Sequence, residues 1–173
     1  VHGGHGYITE TGVEQYVRDA RISMIYEGTN GIQALDLLGR KVLMDSGAKL
    51  RQFGSIVKHF VEDAGQNPDM YEFIRPLASL AERIQAVTMS LGMSAMNNRD
   101  EVGAAAVDYL RAMGHFVFAY LWARMAKIAI DQGPARGPFY AAKLATARFY
   151  YQRLLPEVES SLQSARSGAA NLF

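Results

Sequence analysis

Cysteine is absent from the 173 residues. Disulfides, thiol nucleophiles and cysteine-ligated zinc are therefore excluded within this chain, and the absence fits a reducing, cytoplasmic setting. Charge of one sign is not in excess either. Eighteen Lys and Arg stand against 17 Asp and Glu, for a formal net charge of +1. The basic residues are scattered and form no stripe, so no nucleic-acid partner is expected. Long apolar runs are missing as well. The most apolar stretch, 116–130, carries Arg124 and Lys127 and falls short of the roughly 20 apolar residues that a membrane span requires. His2, His5, His59 and His115 show no ligand spacing, so no metal site is expected. No secretory signal is recognisable. The chain opens on Val1-His2-Gly3-Gly4, which reads as the middle of something larger.

What is present is a globular composition, 49% apolar and 20% charged, with helical periodicity almost throughout. Gly3, Gly4, Gly6 and Gly12 make the opening a loop with unusual backbone angles. A short helix is expected from Val13 to Ile22, with Thr11 and Glu14 as a capping box and Val13, Tyr16, Val17 and Ala20 as its apolar stripe. A second helix, capped by Thr29 or Asn30, runs its stripe through Ile32, Leu35, Leu38, Val42 and Leu43. Long helices follow over 48–64, 70–97, 101–131 and 139–165. Pro76 should kink the helix over 70–97 or mark a late start to it, Pro156 should kink the last helix, and the tail from Ser167 should fray. Met89, Met93 and Met96 are spaced for core packing, and His115 for a satisfied core histidine. The run Phe149-Tyr150-Tyr151 should divide between core and interface. With no strand segment and no repeat, the fold class is all-α, and short connections favour an antiparallel helical bundle.

One segment is suited to chemistry. Tyr26-Glu27-Gly28-Thr29-Asn30 places a carboxylate in a break between helices. The glycine beside it allows close approach, and a hydroxyl and free helix N–H groups follow. Such a place suits a general base acting on a bound anionic ligand, although a Glu beside a Gly in a loop is by itself most often structural.

The context is more specific. Gly3-Gly4-His5-Gly6-Tyr7, Glu14, Arg18-Asp19-Ala20-Arg21-Ile22, Ile25-Tyr26-Glu27-Gly28-Thr29-Asn30 and Ile32-Gln33 follow one another in an order and spacing that resembles the end of the catalytic fold of acyl-CoA dehydrogenases. The resemblance covers about residues 1–43. It implies that Glu27 is the catalytic base, removing the α-proton of an acyl-CoA thioester as the β-hydrogen leaves as hydride to FAD. It implies further that the Glu27 backbone N–H and the flavin ribityl chain polarise the thioester carbonyl, with Gly28 giving the substrate room. Gly3 and Gly4 would touch the adenylate half of a neighbouring subunit's FAD, and Thr29 and Asn30 the flavin near Glu27. Arg18 and Asp19 would brace their helix by buried pairing or capping. Residues 1–44 would finish the catalytic helical domain. Residues 45–173 would form a further helical domain like that of the extended bacterial members.

The resemblance also implies a product, trans-2-enoyl-CoA, and an electron-transfer flavoprotein as acceptor in a homo-oligomer. The isolated chain should be inactive, since most flavin and CoA contacts in the family come from other parts. Two alternatives stand beside this reading: an acyl-CoA oxidase that passes electrons to oxygen, and a non-catalytic helical module for assembly.

Overall fold

The computed structural model describes residues 2–25, 29–133 and 137–172. Among the described residues there is no strand, and the protein is all-α. The chain divides into two units, 1–33 and 34–173, taken here in turn.

The first unit opens on two 3-10 turns, Gly3–Gly6 and Thr9–Thr11. Gly3 (φ +56°) and Gly12 (φ +68°) take left-handed angles that side chains other than glycine's disfavour. Helix α1 spans Glu14–Ile25. The expected capping box does not form. The Thr11 hydroxyl donates back to the carbonyls of His5 and Ile8 (2.9 Å), because the chain still turns through Gly12 before α1 starts. Helix α2 spans Thr29–Leu35 and runs on into a π-helical stretch, Asp36–Leu43.

In the second unit that π-helical stretch buries Leu38 and Val42. Its wider turn brings residue i+5 onto the face of residue i. Lys41 Nζ thus lies 2.7 Å from the buried carboxylate of Asp36, which Arg40 also contacts. The Lys41 ammonium, and after it the Arg40 guanidinium, hold the Asp36 carboxyl below its ordinary value against the opposing effect of burial. The expected stripe is partly displaced: Ile32 and Leu35 are exposed. Gly47 (φ +75°) closes the segment, its N–H bonding Val42 O at 2.7 Å. The Asp45 carboxylate then accepts from Ala48 N at 3.1 Å and opens α3, Ala48–Ala64.

Helix α4 (Tyr71–Asn97) follows a turn in which Asn67 Oδ1 accepts from Asp69 N at 3.0 Å. It begins five residues ahead of Pro76, so the late start allowed by that proline is not seen. Its buried face, Phe73, Ile74, Leu77, Leu80, Ile84, Val87 and Leu91, has helical three-and-four spacing. Met89, Met93 and Met96 lie on the other side at 62%, 63% and 87% exposure. The expectation that they fill the core is wrong, since the helix buries only one face.

Helix α5, Asp100–Gln132, is the hub of the bundle, meeting α4, α6, α7 and the π-helical stretch. Ala105, Tyr109, Ala112, Phe116, Ala119, Ala123 and Ala126 form a buried seam at alternating intervals of four and three. Small side chains there let neighbouring helices approach closely, and two aromatics fill the wider layers. Thr88 Oγ1 meets Tyr109 Oη at 2.7 Å across a two-residue connection, so α4 and α5 run antiparallel. Phe53 of α3 packs edge-on against Phe116 and Tyr120.

The last helix is broken. Helix α6 (Pro138–Phe149) passes into a π-helical turn (Tyr150–Leu154) and a 3-10 turn holding Pro156, before α7 (Val158–Ala165). The π turn carries Tyr150 and Tyr151 into the core, as expected for part of that run, and leaves Phe149 56% exposed. His115 is satisfied, with Nδ1 3.2 Å from the Tyr150 hydroxyl. The tail does not fray at once. Ala169 is buried, and its N–H donates to Glu101 Oε1 at 3.2 Å.

Candidate active-site segment

The residues singled out for chemistry all lie in 1–33. Gly3 and Gly4 form an exposed turn closed by a 3.1 Å bond from Tyr7 N to Gly4 O. No heavy atom lies within 4 Å of where a Cβ would stand at either glycine. The backbone of this turn is therefore open to close approach by another group. Any side chain at Gly3 would also be strained by its positive φ.

Helix α1 leads to Tyr26-Glu27-Gly28, and α2 leaves from it. The candidate base Glu27 and the candidate substrate contact Gly28 lie outside the described residues. Thr29 and Asn30 are the first two residues of α2, the former half-buried and the latter exposed. Among the described residues, no backbone hydrogen bond links Gly3 or Gly4 to Asn30.

Arg18 and Asp19 do brace α1, though at the surface and not in a buried pair. Arg18 Nη2 reaches Glu14 Oε1 at 3.3 Å, and Gln15 Nε2 donates to Asp19 Oδ1 at 2.7 Å. Such exposed i,i+4 pairs contribute a few tenths of a kcal/mol. The apolar stripe of α1 has the predicted period but stays largely open, with Tyr16 73% and Val17 60% exposed. A shallow cleft beside it is lined by Val17, Arg18, Arg21 and Ile22. Arg21 was not picked out as a site residue by the sequence, although its i,i+3 spacing from Arg18 was the available signal.

A larger cavity of about 530 Å³ lies in the second unit, among the start of α4, the end of α5 and α6. Its polar wall is Asp69, Glu72, Tyr140 and Arg148. Arg148 Nη2 sits 2.8 Å from Glu72 Oε1, and this hydrogen-bonded pairing raises the arginine's pKa. The two charges neutralise each other. Among the described residues no group of His, Asp and Glu could hold a metal ion.

Two family profiles match the chain in order. Residues 1–43 match "Acyl-CoA dehydrogenase, C-terminal domain", and residues 53–173 match "Acetyl-CoA dehydrogenase C-terminal like". The chain belongs to the acyl-CoA dehydrogenase family. Among its curated relatives, 3-methylmercaptopropionyl-CoA dehydrogenase of Ruegeria pomeroyi is 35% identical over 170 residues, 96% of this chain and 28% of that protein. The broad-specificity linear acyl-CoA dehydrogenase FadE5 of Mycobacterium tuberculosis is 30% identical over 170 residues, 92% of this chain and 28% of that protein. The short-chain specific acyl-CoA dehydrogenase of Rattus norvegicus mitochondria matches only 37 residues, but at 60% identity. The resemblance to the extended bacterial acyl-CoA dehydrogenases therefore holds along nearly the whole chain. The chain itself spans 28% of the length of the two bacterial relatives.

Proposed function

We propose that this chain is the C-terminal part of a cytoplasmic flavoenzyme that oxidises acyl-CoA to trans-2-enoyl-CoA. Residues 1–44 complete its catalytic helical domain, and residues 45–173 form an appended one. The observation that carries the reading is the ordered pair of family matches, with the Tyr26-Glu27-Gly28-Thr29-Asn30 block inside the first.

Glu27 is the base. An α-proton beside a thioester is a very weak acid in water, so a carboxylate drawn from water, whose pKa rises toward neutrality, suits its removal. The Glu27 backbone N–H donates to the thioester carbonyl, where negative charge develops as the proton leaves. Gly28 leaves room for the thioester beside the carboxylate. Thr29 and Asn30 contact the cofactor close to the base, and the open backbone of Gly3 and Gly4 receives the adenylate end of the cofactor bound mainly by a neighbouring subunit. FAD, when bound, supplies the acceptor for the β-hydride, and an electron-transfer flavoprotein reoxidises it.

The test uses the full-length enzyme that carries this segment. Wild type and Glu27→Gln are compared for anaerobic flavin bleaching across a panel of acyl-CoAs. Bleaching by wild type alone, with flavin bound to both, supports the assignment. Equal bleaching by both removes Glu27 from the role of base. The isolated chain supplemented with FAD should not turn over.

A second reading concerns 45–173. The exposed apolar face of α5 favours a role for this bundle in assembling a homo-oligomer. A chain that stays monomeric at high concentration would remove its basis.

A further inference from the structure

The geometry points to Asp36 as a positioning residue for the candidate site: by pairing with Lys41 it holds residues 36–43 in a π register, and that register sets the rotation of the helix that begins with Thr29 and Asn30. The inference rests on the roles given to those two residues above and adds the group that turns them. Helix α2 passes into the π-helical stretch without a break, since Leu35 at the junction keeps helical angles of φ −62° and ψ −40°. At the far end Met44 N–H donates to Gly39 O, five residues back and not four, at 2.9 Å. Such segments are rare within helices and concentrate at functional sites.

One carboxylate distinguishes the two windings. In an α-helix each residue turns the chain by about 100°, so position i+4 returns to about 40° from i, while i+5 lies about 140° away. Arg40 can therefore reach Asp36 in either winding, but Lys41 comes onto its face only in the wider one. The Asp36 side chain is 8% exposed and takes both: Lys41 Nζ lies 2.7 Å from Oδ2, and Arg40 bonds Oδ1. The two cations thus divide its two oxygens, as a turn longer than four residues allows. Both remain largely in solvent, at 72% and 57% exposure for Arg40 and Lys41, so neither is there to fill the bundle. Of the two, Lys41 does more to hold the carboxyl below its ordinary value.

The consequence falls on the residues ahead of the stretch. Rewinding it by one residue into α register turns the helix that precedes it by about 100° and moves it about 1.5 Å along the axis. Leu38 and Val42 are buried and anchor the stretch, so a change of winding is passed forward along α2. Thr29 and Asn30 are the first residues of that helix. A displacement of about 1 Å in groups that position a substrate can cost about a hundredfold in rate.

The experiment compares Lys41→Ala with Arg40→Ala, each of which deletes one cation from the same carboxylate. Scalar coupling between nitrogen and carbonyl carbon across the hydrogen bond, measured by NMR in the 173-residue chain, reads the register directly. Wild type and Arg40→Ala should couple Met44 N to the Gly39 carbonyl. Lys41→Ala should move that coupling to the Arg40 carbonyl, and Lys41→Arg, which keeps a cation at the same position, should retain the wild-type pattern. In the full-length enzyme, the limiting rate of anaerobic flavin bleaching by acyl-CoA should fall at least about tenfold in Lys41→Ala, stay near wild type in Arg40→Ala and recover in Lys41→Arg. The melting temperatures of the two alanine variants should match. A coupling to Gly39 that survives Lys41→Ala overturns the register assignment. A moved coupling with unchanged bleaching overturns the positioning role, as does an equal loss of bleaching in both alanine variants. A wild-type enzyme that no acyl-CoA bleaches overturns the proposed function and the positioning role with it, while the coupling in the chain still decides the register.

Discussion

The Tyr151 hydroxyl donates a 2.8 Å hydrogen bond to the Ala119 carbonyl at a buried position where the broken last helix meets α5. The same ring packs edge-on against Phe73, centroids 5.2 Å apart, so one side chain ties α4, α5 and the π-helical turn together. Tyr151→Phe keeps the ring and removes one neutral hydrogen bond, a loss of about 1 kcal/mol. Its melting temperature should fall by about 2–4 °C. Tyr151→Ala also empties the aromatic site and should cost about 3–5 kcal/mol. Thermal melts of the three proteins check the order, and equal losses for Phe and Ala would show that the ring contributes nothing.

The small residues of the inward seam of α5 lead to a second expectation. Ala123 is fully buried, and the neighbouring backbones lie close because nothing larger stands there. Ala123→Leu should overpack the seam and destabilise by about 1–3 kcal/mol, although leucine is itself a good helix former. Urea unfolding of this variant decides the point; unchanged stability would mean the bundle has slack at its centre.

The helices were legible because punctuation and period agree. Gly47 stops one helix and Gly65-Gln66-Asn67-Pro68 the next, so α3 lies over 48–64 as expected. The inward faces of α4 and α5 were implicit in their spacing. What the period does not encode is whether a face meets another element. Met89, Met93 and Met96 have core spacing and lie in solvent, as do Tyr16 and Val17 of α1. The docked tail depends on a contact between residues 68 apart, Glu101 and Ala169, which no local pattern carries. For the candidate site, the family motif located the segment and proposed its roles, while composition and spacing alone reached only a carboxylate beside a glycine.

Burial gives the bundle an alkaline limit. It pushes the Tyr150 phenol up to about 12, with a further contribution from the Glu157 charge. Burial pushes Tyr151 higher still, and it raises Tyr109 against the opposing hydrogen bond from Thr88. An unfolded tyrosine titrates near 10. A folded pKa above the unfolded one means stability is complete below about pH 10 and is lost as pH rises from there toward the folded value. Stepwise alkaline titration should therefore show loss of helical circular dichroism in step with phenolate absorbance from these tyrosines. Tyr150→Phe should move the alkaline midpoint upward. Full phenolate formation near pH 10 with the helices intact would contradict this account.

The closing turn of the chain is fixed by one glycine and one carboxylate. Gly168 has φ +78°, and a Cβ placed there would stand 3.4 Å from Glu101 Oε2. Gly168→Ala should therefore cost about 1–2 kcal/mol in backbone strain and press on the carboxylate that holds Ala169 N–H. Glu101→Ala should free the same N–H without that strain. Both variants should speed amide hydrogen exchange at Ala169, while the amides of the α5 centre, protected by the whole bundle, should change far less. Unchanged exchange at Ala169 in Glu101→Ala would show that burial of the Ala169 methyl, and not the hydrogen bond, anchors the tail.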